Sequence, residues 1–166
     1  MAGMKRLATG VEWLRKFVEE SNKIEGILRE PTEDEVKAHE QLLQLEKLEI
    51  THLEEFVKVV APGNILRNKK GLDVYVGNHV PPPGGPEIQT ELLKLLYAVN
   101  NKEVDPYQSH HLYETLHPFT DGNGRSGRAV WLWQMQQRHE LNRVAGLGFL
   151  HEFYYQTLQA GQGNYK

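Results

Sequence analysis

No cysteine occurs among the 166 residues, so disulfides and thiolate metal sites are excluded, and the composition fits a reducing compartment. No apolar run approaches the roughly 20 residues that a membrane-crossing helix needs. The opening stretch MAGMKRLATG lacks the apolar centre of a secretory signal. A cytoplasmic protein with no membrane partner is the expectation. Charge of one sign is scarce as well: 19 Lys and Arg stand against 22 Asp and Glu, a net −3. That balance exerts no general pull toward nucleic acid or anionic lipid, so neither is expected as a partner. Eight histidines do not make a transition-metal pattern. His110 and His111 point about 100° apart on a helix, and no acidic residue gives the H-E-x-x-H spacing. Internal repeats and low-complexity linkers are also absent. The length suits one domain, 1–166, around one sizeable core.

Helix signals dominate what is present. Thr32 with Glu35, and Thr51 with Glu54, have the spacing of capping boxes. Ile88, Leu92, Leu95, Leu96 and Val99 recur at helical spacing. Asp105 followed by Pro106 reads as a cap and first turn. GRSGRAVWLWQMQQRHE and GFLHEFYYQTLQ read as two more helices, which makes the fold all-α. Trp131 and Trp133 flank Leu132; only one can face fully inward on a helix, so the other is expected at a rim or interface. Tyr154 and Tyr155 read as packing residues.

One segment breaks the helical pattern. In 68–83, Leu72, Val74 and Val76 alternate with Asp73, Tyr75 and Gly77, and Gly77-Asn78 can turn a hairpin. Pro81 to Pro83 forbid helix and favour an extended exit. A small β-hairpin is expected, either a plain connector or an exposed edge that another chain can join.

The helix over about 9–26 poses a sharper question. Its apolar stripe of Val11, Leu14 and Val18 continues to Ser21 and Glu25, and Gly26 then stops it. Either Glu25 emerges into solvent at the helix end, or it is partly buried against a cation from elsewhere in the chain.

HPFTDGNGRSGR, residues 117–128, concentrates chemistry. Gly122 and Gly124 permit tight turns and close approaches. Within a loop and helix over 117–138, successive N–H groups of the turn and the start of the helix near Gly124 favour an anion. Arg125 and Arg128, on its first turns, suggest a polyphosphate. Asp121 fits beside an anion when a divalent cation lies between them, as Mg²⁺ does. His117 titrates near neutrality and can take a proton from a hydroxyl.

This stretch resembles the signature of the Fic family, H-x-F-x-D/E-G-N-G-R-x-x-R, at every specified position. SNKIEG, from Ser21 to Gly26, resembles the family's inhibitory motif S/T-x-x-x-E-G/N. SHHLYETLHPF and EFYYQTL are similar to the helices flanking the signature, and 68–83 has the usual place of the flap. The resemblance covers most of the chain and implies a Fic-type helical bundle with a small β-hairpin flap, of the class with an N-terminal inhibitory helix. It further implies a protein adenylyltransferase that moves AMP from ATP, with Mg²⁺, onto a Tyr, Ser or Thr hydroxyl of a target protein or of itself. By position, His117 would be the base and Phe119 the loop's anchor. Asp121 would bind Mg²⁺. Gly122, Asn123 and Gly124 would hold phosphates through backbone and amide donors, Arg125 the β-phosphate region and Arg128 the γ-phosphate. Ser21 and Glu25 would be regulatory, with Glu25 pairing Arg128 to block the γ-phosphate site. Leu72, Asp73, Val74, Tyr75 and Val76 would dock the target's backbone. Glu25-assisted removal of AMP, transfer of another nucleotidyl or phosphoryl group, and a non-enzymatic nucleotide-binding module are the alternatives. The identity of the target and the oligomeric state have no signal in the sequence.

Overall fold

The computed structural model describes residues 2–141, with side chains from residue 12 onward. The helix expected at GFLHEFYYQTLQ, with Tyr154 and Tyr155, lies outside the described residues. Six helices follow in order: α1 (Ala2–Ile24), α2 (Glu33–Leu43), α3 (Ile50–Val60), α4 (Pro86–Asn100), α5 (Pro106–Leu116) and α6 (Asn123–Gln137). The described residues are thus helical, as the sequence predicts.

Local chemistry sets most of the boundaries. At α2 the Thr32 hydroxyl accepts from Glu35 N–H at 3.1 Å, and the Glu35 carboxylate accepts from Thr32 N–H at 2.9 Å, closing the expected capping box. At α5 the Asp105 carboxylate accepts from Gln108 N–H, ahead of Pro106. Helix α3 begins one residue before the expected Thr51 cap: Glu49 is the cap residue, and its N–H donates to His52 Nδ1 at 3.0 Å. Helix α1 starts at Ala2 rather than near Thr9; apart from Gly3, the added residues are good helix formers. At its other end Gly26 is left-handed (φ 80°), and Ile27 N–H reaches back to the Asn22 carbonyl at 3.0 Å.

Helix α6 runs through the middle, packed by α5, α2, α1 and α3. Its Ala129, Val130 and Trp133 join a core with Leu53, Val57, Leu92, Leu96 and Phe119. Its Trp131, Leu132 and Met135 join a second core with Leu14, Phe17, Val18 and Val36. The rim or interface position expected for one tryptophan is therefore not found: both are buried. The physical reason is that α6 is covered on all sides, so its two tryptophans face two different cores. Trp133 Nε1 donates to the Leu45 carbonyl at 3.0 Å, and Trp131 stacks on Phe17 with centroids 6.5 Å apart.

The expected β-hairpin flap also needs correction. No strand is assigned among the described residues. Burial alternates as expected, with Leu72, Val74 and Val76 half-buried and Asp73, Tyr75 and Gly77 exposed. Only Val76 and His79 pair, through bonds of 3.1 and 2.8 Å around the Gly77-Asn78 turn. The return limb runs into Pro81, Pro82 and Pro83, which have no N–H to continue a ladder. What results is an anchored loop with a tight tip. Its base is pinned where Gly84 N–H donates to Asp73 Oδ1 at 2.8 Å. A Cβ at Gly84 would lie 2.5 Å from the Leu72 carbonyl oxygen, so this approach requires glycine.

Candidate active site

Helix α5 ends at Leu116, and His117 turns the chain with a left-handed backbone, φ 51° and ψ 63°. Histidine tolerates this region better than most side chains, while a β-branched residue would not. The turn brings Nδ1 of His117 to 2.8 Å from the Glu114 carbonyl. A carbonyl only accepts, so Nδ1 carries the proton and Nε2 keeps its lone pair. Burial is the main influence pushing the His117 pKa below its ordinary value; the charges of His79 and Arg67 act in the same direction, while the Glu114 carbonyl and Glu25 oppose them. The ring is therefore neutral at physiological pH and able to accept a proton.

The loop after His117 is clamped from within. Phe119 is fully buried. Its N–H donates to Asn123 Oδ1 and its carbonyl accepts from Asn123 Nδ2, both at 2.8 Å. Both ends of the Asn123 carboxamide are thus engaged in holding the loop, with one N–H of Nδ2 not used by these two bonds. Gly122 precedes α6 with φ 85°, and its N–H donates to Asp121 Oδ1 at 2.8 Å. This bond orients Asp121 while its side chain stays 68% exposed. Arg125 turns inward, donating to the Val60 carbonyl, with Asp121 Oδ2 at 4.0 Å from its Nη2.

At the start of α6 the first N–H groups have no intrahelical partner, and the helix presents its positive end. The Glu25 carboxylate occupies this place. A Cβ at Gly124 would overlap it, so glycine is required for the approach. Arg128 Nη2 donates to Glu25 Oε2 at 2.6 Å and to the Ser21 carbonyl at 3.0 Å, and Nε donates to Ser21 Oγ at 2.8 Å. The Arg128 side chain is 5% exposed and that of Glu25 is 26% exposed. Of the two readings open from the sequence, partial burial against a distant cation is the one observed. Ser21, Glu25, Gly124 and Arg128 form one cluster; His117 and Asp121 lie on the adjoining loop, and Asn123 is the first residue of α6.

Three groups around the site escaped the sequence reading. The first is Arg67, fully buried, whose guanidinium donates to four main-chain carbonyls. Nothing at helical or strand spacing from it announces a buried cation. The second is Glu35, which the sequence assigns only to a helix cap. Its carboxylate also takes two bonds from Arg29, at 3.0 and 2.8 Å, and one from Asn22 Nδ2 at 3.4 Å. Arg29 is the main reason its pKa falls to about 2. This network ties the end of α1, just before Glu25, to the start of α2. The third is Glu114, buried in α5 beside Gly127; burial pushes its carboxyl up to about 7, against the pull of Arg128. The proposed docking residues Leu72 to Val76 lie on the loop pinned at Asp73, and the Asp73 carboxylate serves that closure.

A family model described as Fic/DOC family matches residues 30–135, which span α2 through nearly all of α6.

Proposed function

The chain belongs to the Fic/DOC family, and from that premise we propose that it is a self-inhibited protein adenylyltransferase. Members of the family typically transfer AMP or a related nucleotide group to protein targets, with ATP as the usual donor. In this reading His117 Nε2 takes the proton of a target Tyr, Ser or Thr hydroxyl. The hydroxyl oxygen bonds to the α-phosphorus of ATP, the bond to the β-phosphate oxygen breaks, and pyrophosphate leaves. The proton then passes from His117 to solvent. The tautomer fixed by the Glu114 carbonyl supports this role.

Asp121 would hold Mg²⁺ together with the phosphates: one oxygen is oriented by Gly122 N–H and the side chain faces solvent, which suits a hydrated cation held through one carboxylate. Bound there, Mg²⁺ would supply charge neutralisation. Backbone N–H groups around Gly122, Asn123 and Gly124 receive the phosphates, and Arg128 receives the terminal one. Orientation and preorganised charge then supply most of the rate.

The observation that carries this reading is the Glu25–Arg128 pair at the start of α6. In this reading the carboxylate stands in for a terminal phosphate on Arg128, which supports self-inhibition. The test uses Glu25→Gly with ATP labelled at either the α or the γ position. Label transferred to protein from the α position alone is expected; transfer from γ alone would overturn the reading. Removal of AMP with Glu25 orienting water is the second reading, favoured by the partial exposure of that carboxylate and its electrostatic effect on His117. It predicts that wild-type protein strips a modified target faster than Glu25→Gly does.

A further inference from the structure

The last carbonyls of a helix have no intrahelical partner and must find one elsewhere. At the end of α5 every one of them does. Tyr113 O accepts from His117 N–H at 2.9 Å, and Glu114 O from His117 Nδ1 at 2.8 Å. Thr115 O accepts from His79 Nε2 at 2.9 Å. Leu116 O accepts from Arg67 Nη2 at 2.9 Å, His117 O from Arg67 Nε at 2.7 Å, and Pro118 O from Arg67 N–H at 2.8 Å. Two of the partners come from outside α5 and its loop. His79 closes the tip of the flap loop, and the remaining nitrogen of Arg67, Nη1, donates to Leu72 O at 3.0 Å and Pro82 O at 2.9 Å, one on each limb of that loop. A single buried guanidinium therefore holds both limbs of the flap and the backbone of His117.

We propose that Arg67 and His79 are positioning residues for the base His117, and that they couple the target-docking flap to it. His117 owes its left-handed turn and its ring tautomer to carbonyls at fixed places. Arg67 and His79 hold four of the six carbonyls from Tyr113 to Pro118, those of Thr115, Leu116, His117 and Pro118. A guanidinium suits this task because its five donors lie in a planar fork that reaches acceptors on several sides, whereas the three donors of a lysine ammonium radiate from one atom. Arg67 has no carboxylate among its hydrogen-bond partners; its charge is dispersed over carbonyl dipoles, an arrangement that serves geometry. Both groups also disfavour a proton on His117, which keeps the base available. A target strand that shifts Leu72 to Val76 would move the carbonyls bound by Arg67 and so act on His117 directly.

The proposal rests on the transferase reading for its rate measurement only, so the test pairs that rate with a readout of the ring itself. Arg67→Lys, His79→Ala and His79→Gln are made in the Glu25→Gly background. Transfer kinetics are measured on one target, and nitrogen shifts of the His117 imidazole report its tautomer. Arg67→Lys and His79→Ala should lower kcat about tenfold to a hundredfold, as displaced general bases do, with KM for ATP changed less than about twofold. In both, the ring should lose its single Nδ1–H tautomer. His79→Gln keeps an N–H for the Thr115 carbonyl and should recover most of the kcat. If Arg67→Lys does not fold, the His79 pair decides alone. A single unchanged tautomer in the variants overturns the proposal, whatever their activity. So does a loss confined to thermal stability or to KM for ATP. A disturbed tautomer in proteins that transfer no AMP even from the Glu25→Gly parent supports the positioning role and removes the transferase reading instead.

Discussion

Glu114 shows how much one buried carboxyl can shape behaviour. Its folded pKa is raised from 4.5 to about 7, chiefly by burial. A carboxyl raised in this way holds a proton in the folded state that the unfolded chain releases. Its effect on stability is absent below about pH 4.5 and grows as a penalty up to about pH 7, to the order of 3 kcal/mol. Glu114→Gln should therefore raise the urea midpoint at about pH 8 and leave it nearly unchanged at about pH 4.5. An equal gain at both values would mean that Glu114 is not raised. His39 and His110 act in the opposite sense: burial lowers them to about 4 and about 3, so stability falls as acid drives the pH below their ordinary 6.5. At Glu25 and Arg128 the expected pattern is epistasis. Glu25→Gly should raise initial transfer rates, Arg128→Ala should leave them low, and the double variant should match Arg128→Ala, because the gain acts through the freed guanidinium. A fast double variant would point to a different partner for Glu25. Glu25 was conspicuous in the sequence because it continued an apolar stripe, and its pairing with Arg128 was implied by the resemblance to the Fic family. Arg67 was not, because its hydrogen bonds all go to main-chain carbonyls, which no residue type in the sequence announces.

At the scale of elements, the Asn22–Glu35–Arg29 network joins α1 to α2 just outside the Glu25–Arg128 contact. Arg29→Ala should loosen the end of α1 and raise basal transfer severalfold without touching Glu25 or Arg128. Added to Glu25→Gly it should give no further gain, and initial rates of the four proteins check this. A gain that persists in the Glu25→Gly background would mean that the network acts elsewhere. The helices themselves were legible from caps and periodicity: all five expected core positions of α4 are buried. Two elements were not. Periodicity assumes that a helix has one apolar face, and α6 has neighbours all round, so Trp131 and Trp133 seemed to compete for one inward direction. The flap has the alternation of a strand without a partner able to pair, since the prolines of its return limb remove the donors. Alternation reports which side of a segment is buried; it does not report whether a ladder forms.

For the whole molecule, nucleotide binding and stability should be linked. A ligand that binds only the folded state at 100 times its Kd stabilises by about 2.7 kcal/mol, a shift of roughly 5–10 °C in Tm for a chain of this size. Mg²⁺-ATP should give Glu25→Gly such a shift, and wild type at the same concentration a smaller one, because Glu25 must first be displaced; thermal scans with and without Mg²⁺-ATP measure both. Equal shifts would show that Glu25 does not compete with the nucleotide. The contact between Glu25 and Arg128 joins residues 103 apart in sequence, yet both belong to one chain, and α1 is seated by Leu14, Phe17 and Val18 in the core it shares with α6. In the self-inhibited reading ATP contends with a tethered rival, whose effective concentration is about millimolar even for a short flexible connection. Dilution of the protein leaves that rival in place. On that reading an activator of the protein acts on the seat of α1.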